Sequence, residues 1–350
     1  MHSLEKSSSF LFSKPRHALS NTVGVFKKSI LAFKLYFIFT ICFFSSALFA
    51  LEDRTFCVWD PVGRTGPVMT FYSDVIPKAQ AWGLKLTFVA YTEETDAVKA
   101  FKAGKCDAIA VTGMKMRAFN KFTSTVEAVG ALPEYMDVRA VFDALSRPEL
   151  AKYMRQGEYE VAGVMPVGNV YTFVRERKWV EEGLQDNFQG KKVSVFEGDS
   201  VSYEMIRSMG ANPVMVNTTT FAGKFNNGAV DITFSPAVAY EPFELYKGLK
   251  PNGGIVRHPL IQLTFQMVIR HEKFPADFAA KARQAAYDKM GYAMQYVHLT
   301  EKRIPEEQWV EPLLREQGAM NEMMRQARLK LRTEGIYDGN MLKLMRKIRC

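Results

Sequence analysis

Phe101-Lys-Ala-Gly104-Lys-Cys-Asp107 and Phe225-Asn-Asn-Gly228-Ala-Val-Asp231 align without a gap and share the phenylalanine, the glycine and the aspartate. Three identities in seven mean little alone. They gain weight because the flanking elements come in the same order around both copies. Ahead of the first, Thr55-Phe-Cys-Val-Trp59 is a β-rich run ending in the turn Asp60-Pro-Val-Gly-Arg-Thr-Gly66. Pro67 to Trp82 has helical spacing with a break expected at Pro77, and Leu84 to Tyr91 reads as a second strand. Thr92-Glu-Glu-Thr-Asp96 opens a helix that Gly104 stops, and Asp107-Ala-Ile-Ala-Val111 is a third strand leading into Thr112-Gly113. Around the second copy, Lys192-Val-Ser-Val-Phe196 is a strand and Glu197-Gly-Asp-Ser-Val-Ser202 its turn and helix start. Tyr203 to Met209 is helical, Pro213 to Val216 a strand, Thr218-Thr-Thr220 a cap, and Asp231-Ile-Thr-Phe234 the last strand. Strand–helix–strand–helix–strand, twice over, predicts an α/β protein of two similar lobes, each a parallel sheet with helices on both faces.

Between the copies, Leu132 to Gly157 holds two helical pieces broken at Pro148, and Glu160 to Val164 and Val170 to Arg175 are extended segments crossing to the second lobe. After Phe234 the chain runs through Pro-, Gly- and Asn-rich sequence to Arg257, and a strand at Gln262 to Ile269 returns it to the first lobe. Beyond Pro275 the pattern is helical over Ala276 to Leu299 and Pro305 to Gln317, then in a last pair of helices to Arg349. Two crossings and a helical C-terminus predict a hinge. The expected division is a leader over 1–50, the first lobe over 51–160, the second over 161–256, and 257–350 as the return to the first lobe with the C-terminal helices.

The leader sets the compartment. Lys27, Lys28 and Lys34 precede the apolar run Leu35 to Ala50, the pattern of a secretory signal cleaved after Ala50 or, alternatively, after Ala47. A retained membrane anchor is the rival, disfavoured because the run is short for a span. Lys6, Lys14, Arg16, Lys27, Lys28 and Lys34 against Glu5 give the leader a charge of +5, which leaves +4 of the total +9 for the rest. That charge is too diffuse for a nucleic-acid surface, and no basic stripe with interleaved aromatics occurs.

Beyond the leader stand Cys57, Cys106 and Cys350, with no Cys-x-x-Cys. In a lobe that winds one way and then reverses, the first and third strands are neighbours. Cys57, early in the first, and Cys106, at the start of the third, are then within bridging reach, and export favours oxidation. Two buried thiols are the alternative. Only His258, His271 and His298 lie beyond the leader, without metal-ligand spacing, so neither metal nor cofactor is expected.

The order of elements, the helix–Gly–x–x–Asp–strand signature in each lobe and the long helix after Phe274-Pro275 resemble periplasmic solute-binding proteins of the second structural type. They are most similar to the binding subunit of tripartite ATP-independent periplasmic (TRAP) transporters. Phe188-Gln-Gly190-Lys-Lys-Val193 is similar to that family's segment before the second lobe's first strand. Cys106-Asp-Ala-Ile-Ala-Val-Thr-Gly-Met114 and Arg117-Ala-Phe-Asn120 resemble a subgroup some of whose members carry efflux or resistance-type names. The resemblance implies a periplasmic monomer that closes on a small-molecule solute and hands it to inner-membrane transporter subunits. Its rival is an accessory protein of an efflux or envelope complex that keeps the fold. In the family, the strand after Gly-Lys-Lys carries an arginine that clamps a ligand carboxylate; by alignment that position is Ser194. A hydroxyl cannot make a bidentate fork, so an acidic ligand would need another arginine.

Ligands of open parallel sheets sit beyond the carboxyl ends of strands, and in two-lobed proteins between the lobes. Four loops qualify, and from them Trp59, Asp60, Arg64, Thr65, Thr112, Arg117, Glu197, Asp199, Ser235 and Tyr240 are the candidate ligand residues. Each has a plainer role open to it. The arginines can pair with surface carboxylates, Asp60 can close its Asp-Pro turn, Glu197 and Asp199 can cap a helix, and the aromatics can pack in the core. No Gly-x-Ser-x-Gly, phosphate-loop Gly-Lys-Ser/Thr, His-Glu-x-x-His or Gly-x-Gly-x-x-Gly occurs, which argues for a binding protein rather than an enzyme.

Overall fold

The computed structural model describes residues 51–349; the leader with its cleavage site, and Cys350, lie outside the described residues. The strands are β1 (Glu52–Trp59), β2 (Leu84–Tyr91), β3 (Ala108–Thr112), β4 (Arg155–Gln156), β5 (Tyr159–Val174), β6 (Lys192–Phe196), β7 (Asn212–Val216), β8 (Ile232–Pro236), β9 (Gly254–Arg270) and β10 (Trp309–Val310). They form one ten-stranded sheet in the order β2-β1-β3-β9-β5-β8-β6-β7, with β4 added to β5 and β10 to β9. The two ends of the sheet mirror each other. β1 lies between β2 and β3 and parallel to both, and β6 lies between β7 and β8 and parallel to both.

The repeated heptad does the same work in both halves. The Asp107 carboxylate accepts the Thr55 N–H at 2.9 Å, and the Asp231 carboxylate accepts the Lys192 N–H at 2.8 Å, so each fastens the start of a central strand. Gly104 and Gly228 sit at φ +73° and +81°, the left-handed stop that glycine adopts at least cost. Phe101 and Phe225 are fully buried beneath their sheets. In the first half the period-two alternation divides the core. Cys57, Ile109 and Val111 pack on one face, and Phe56, Val58, Ala108 and Ala110 on the other. Cys57 and Cys106 are bridged, with 5.8 Å between their Cα atoms, which settles the alternative left open by the sequence.

The two expected crossings are one ribbon. β5 and β9, of 16 and 17 residues, pair antiparallel from Tyr159↔Arg270 to Val174↔Gly254, with irregularities at Val161/Gly163, Pro166/Gly168 and Val170/Thr172. Two helical expectations change. Pro67 to Trp82 divides into Pro67–Ser73 and Ile76–Ala81, with Pro77 in the first turn of the second piece, where its missing N–H costs nothing. Pro305 to Gln317 is not a helix: Trp309 and Val310 pair with Ile255 and Val256 of β9, and a helix starts only at Leu314. Burial overrides the local pattern there, since Val310 joins the core and Trp309 packs on Tyr171 with ring centroids 4.9 Å apart.

The helix Phe278–Arg303 runs along β5. Near its end Glu301 accepts the Tyr171 hydroxyl at 2.8 Å and the hydroxyl of Tyr135, which begins the helix Tyr135–Ser146. Among the described residues no helix is long and apolar enough to cross a membrane.

Candidate functional site

Loops at the carboxyl ends of the parallel strands in the two halves are hydrogen-bonded to each other at two places. The loop after β3 meets the loop after β6 where Lys115 Nζ donates to the Glu197 carbonyl at 3.0 Å. The helix start after β2 meets the loop after β7 where the Thr219 N–H donates to Glu93 Oε1 at 3.2 Å. Val201, just inside the helix that follows Asp199, packs against the core of the first half.

Beside these contacts, within the first half, lie two buried carboxylates. Glu94 Oε1 accepts the Thr112 N–H at 2.5 Å. Glu127 Oε1 accepts the Gly113 N–H at 3.0 Å and both the N–H and the hydroxyl of Thr264 at 2.7 Å. Gln266 extends the chain, donating from Nε2 to Thr264 Oγ1 at 2.9 Å and to the Thr123 carbonyl at 3.1 Å. Only glycine fits at 113, because a Cβ there would stand 2.4 Å from Glu127 Oε1. Burial pushes the Glu127 carboxyl up to about 7, the hydrogen bonds from Thr264 oppose the rise, and the Glu94 charge adds to it. Burial raises Glu94 too, against the hydrogen bonds of Thr112 and the Lys115 ammonium.

Of the residues named from sequence, Thr112, Arg117, Glu197 and Asp199 lie on the loops that meet. Thr112 is buried, its hydroxyl beside the Glu94 carboxylate and receiving no hydrogen bond among the described residues. The Arg117 guanidinium lies 5.9 Å over the Tyr337 ring, with Nε buried and unpaired. Asp199 caps its helix, accepting the Ser202 N–H at 3.1 Å and the Ser202 hydroxyl at 2.5 Å. Arg64 and Thr65 are exposed on the loop after β1, and Arg64 makes no salt bridge among the described residues. Trp59 stacks on Phe265 and donates to the Thr92 carbonyl at 3.2 Å.

Three candidates have their polar atoms taken by the protein itself. Asp60 is fully buried and accepts the N–H groups of Val62, Val68 and Met69 at 2.8–3.0 Å, the turn-closing role. Ser235 is buried with its hydroxyl toward the Pro236 carbonyl, and the Tyr240 hydroxyl donates to Gln308 at 2.6 Å within the core of the second half. Ser194 is likewise committed: its hydroxyl sits 2.7 Å from that of Thr233, buried between β6 and β8.

A cavity of about 50 Å³ lies elsewhere, in the first half between the sheet and the helix Phe278–Arg303. Its walls are apolar, including Phe56, Tyr72, Phe88 and Met165, and offer almost nothing to orient a polar solute.

The profile of the family described as "Solute-binding protein AdeT 1/2" matches residues 71–350. The probable solute-binding protein AdeT1 of Acinetobacter baumannii is 36% identical over 293 residues, covering 84% of this chain and 95% of that protein. The chain belongs to the AdeT 1/2 solute-binding family. Among solved structures, this AdeT 1/2 member has the fold of TRAP periplasmic solute-binding proteins. One from Desulfovibrio salexigens with bound orotic acid matches with a TM-score of 0.67 at 12% identity, over 85% of this chain and 97% of that one. The periplasmic ectoine-binding protein of the TeaABC TRAP transporter of Halomonas elongata matches with a TM-score of 0.67 at 15% identity, over 85% and 99%. Both neighbours are solute-binding proteins rather than enzymes, and the solute-binding role of the family is this chain's.

Four charged groups at the candidate site of this AdeT 1/2 member are not among the residues that the sequence singles out: Glu93, Glu94, Lys115 and Glu127. Glu93 and Glu94 were read only as a helix opening, although neither side chain caps that helix. Glu127 carries no local signal, because its partner Thr264 lies 137 residues away.

Proposed function

We propose that the mature chain, exported by cleavage of its leader, is a periplasmic monomer without enzymatic activity that closes on a small solute and presents it to inner-membrane transporter subunits. The first lobe comprises 51–160 with 257–350 and the second 161–256; the irregular middle of the β5–β9 ribbon is the hinge. The pair of contacts across the carboxyl ends of the strands, Lys115 to Glu197 and Thr219 to Glu93, supports this reading most directly, because a solute between them touches both lobes. A ligand shifts such an equilibrium only through contacts that differ between the open and closed forms. Thr112, Arg117 and Glu197 are the contact residues on the meeting loops, with Trp59, Arg64 and Thr65 on the rim. Native mass spectrometry of protein purified from its own periplasm identifies the trapped solute, and small-angle scattering with and without it should show compaction. Unchanged dimensions at saturation overturn the closure. Co-purification with a membrane pump and no small-molecule response points instead to the accessory role.

A further inference from the structure

We propose that the solute carries a protonated amine and that the carboxylates of Glu94 and Glu127 recognise it, an assignment that rests on the receptor reading above. Each carboxylate spends one oxygen on the backbone of the loop after β3 or on Thr264. Neither second oxygen receives a hydrogen bond among the described residues, and neither side chain forms a salt bridge there. Beside them stand further acceptors without donors. The Thr112 hydroxyl, on a residue 5% exposed, adjoins the Glu94 carboxylate and can give its one proton to it, which leaves its lone pairs without a donor among the described residues. Gln266 Oε1, on a fully buried residue, is also unpartnered, while the nitrogen of the same carboxamide is bonded to Thr264 Oγ1.

The ammonium of Lys115 acts on Glu94, but no cation of the protein forms an ion pair with either carboxylate among the described residues. Lys115 is bonded to the Glu197 carbonyl, and the Arg117 guanidinium lies over Tyr337. A carboxylate solute would meet two buried acids at this floor, and the Ser194 hydroxyl is occupied by Thr233. No group of three or more His, Cys, Asp or Glu side chains is placed to hold a metal among the described residues. An ammonium brings three donors and no acceptor, which matches two carboxylate oxygens and a hydroxyl.

The test uses the mature protein, freed of solute, with 1,4-diaminobutane, ethanolamine and spermidine as amine probes and succinate and orotate as anions, read by thermal shift and then calorimetry. Amines should raise the melting temperature saturably. Glu94→Gln and Glu127→Gln keep the Oε1 acceptor that ties the loop, so the fold should persist while amine affinity falls roughly 10- to 100-fold. Thr112→Val, which leaves both charges in place, should weaken amine binding several-fold. Failure of every amine at millimolar concentration, or equal amine binding by wild type and all three variants, overturns the assignment. An anion that binds and compacts the protein, more tightly in the glutamine variants, also overturns it but leaves the receptor reading standing. The receptor reading falls separately, if protein from the periplasm carries no solute and no ligand changes its dimensions.

Discussion

Replacing Glu127 by glutamine removes a charge but leaves an oxygen where the Gly113 N–H and the two Thr264 donors need one. The ordinary carboxyl value is 4.5 and burial lifts it to about 7, with the hydrogen bonds opposing and the charge of Glu94 assisting. A raised acid is favourable to the folded state when protonated. Its contribution is therefore fully present below about 4.5 and lost as pH rises through about 7. The shift between those values corresponds to about 3 kcal/mol at pH 8 and above. Glu127→Gln should escape this loss: equal to wild type near pH 4.5, and more stable at pH 8 by up to that amount, or roughly 5 °C in melting temperature. Melting curves of the ligand-free protein and variant across this range measure it. A variant less stable than wild type at both ends would show that the ionised carboxylate, not its oxygen, holds the loop, and would refute the reasoning.

Two further outcomes follow from the frame. Breaking the Cys57–Cys106 bridge by serine at both positions releases a loop of sequence separation 49 and should cost about 4 kcal/mol in denaturant unfolding; a loss near zero would show that the unfolded chain is not what the bridge restrains. Asp107→Ala should cost about 1–2 kcal/mol by leaving the half-buried Thr55 N–H without its acceptor, and Asp231→Ala less, because Lys192 is exposed; the reverse order in chemical denaturation would contradict the shared role of the two aspartates.

The lobes were legible because their information is local. Phe-x-x-Gly-x-x-Asp places a buried ring, a left-handed stop and a strand-fastening carboxylate within seven residues, and each part has its own physical cause. The ribbon was not legible as a unit. Its two strands lie far apart in the chain, and the Gly and Pro residues that interrupt their pairing read locally as breaks rather than as bulges in a continuous ladder. Trp309-Val310 follows the same logic: two residues recruited by distant β9 defeat a helical pattern that is otherwise sound. The candidate site was half legible as a place in the fold. Strand ends pointed to Thr112, Arg117, Glu197 and Asp199, but Glu127 acts through Thr264 and has nothing in its own neighbourhood to announce it. Asp60 shows the converse, a residue whose position suggested a ligand and whose three backbone donors supply a local use.

The helix Phe278–Arg303 has a mechanical consequence. Its 26 residues make a rod about 39 Å long. Near its start Arg283 is fixed to Glu160 and the Val161 carbonyl, and near its far end Glu301 clasps Tyr135 and Tyr171, one tyrosine from each half. A rod pinned in this way behaves as a strut: it resists any motion that changes the spacing of its anchors and leaves twist about its own length comparatively free. The two halves should then swing like a book whose spine has been splinted, and a residue that loosens the clasp, such as Tyr171, would alter the amplitude of opening without touching the solute at all.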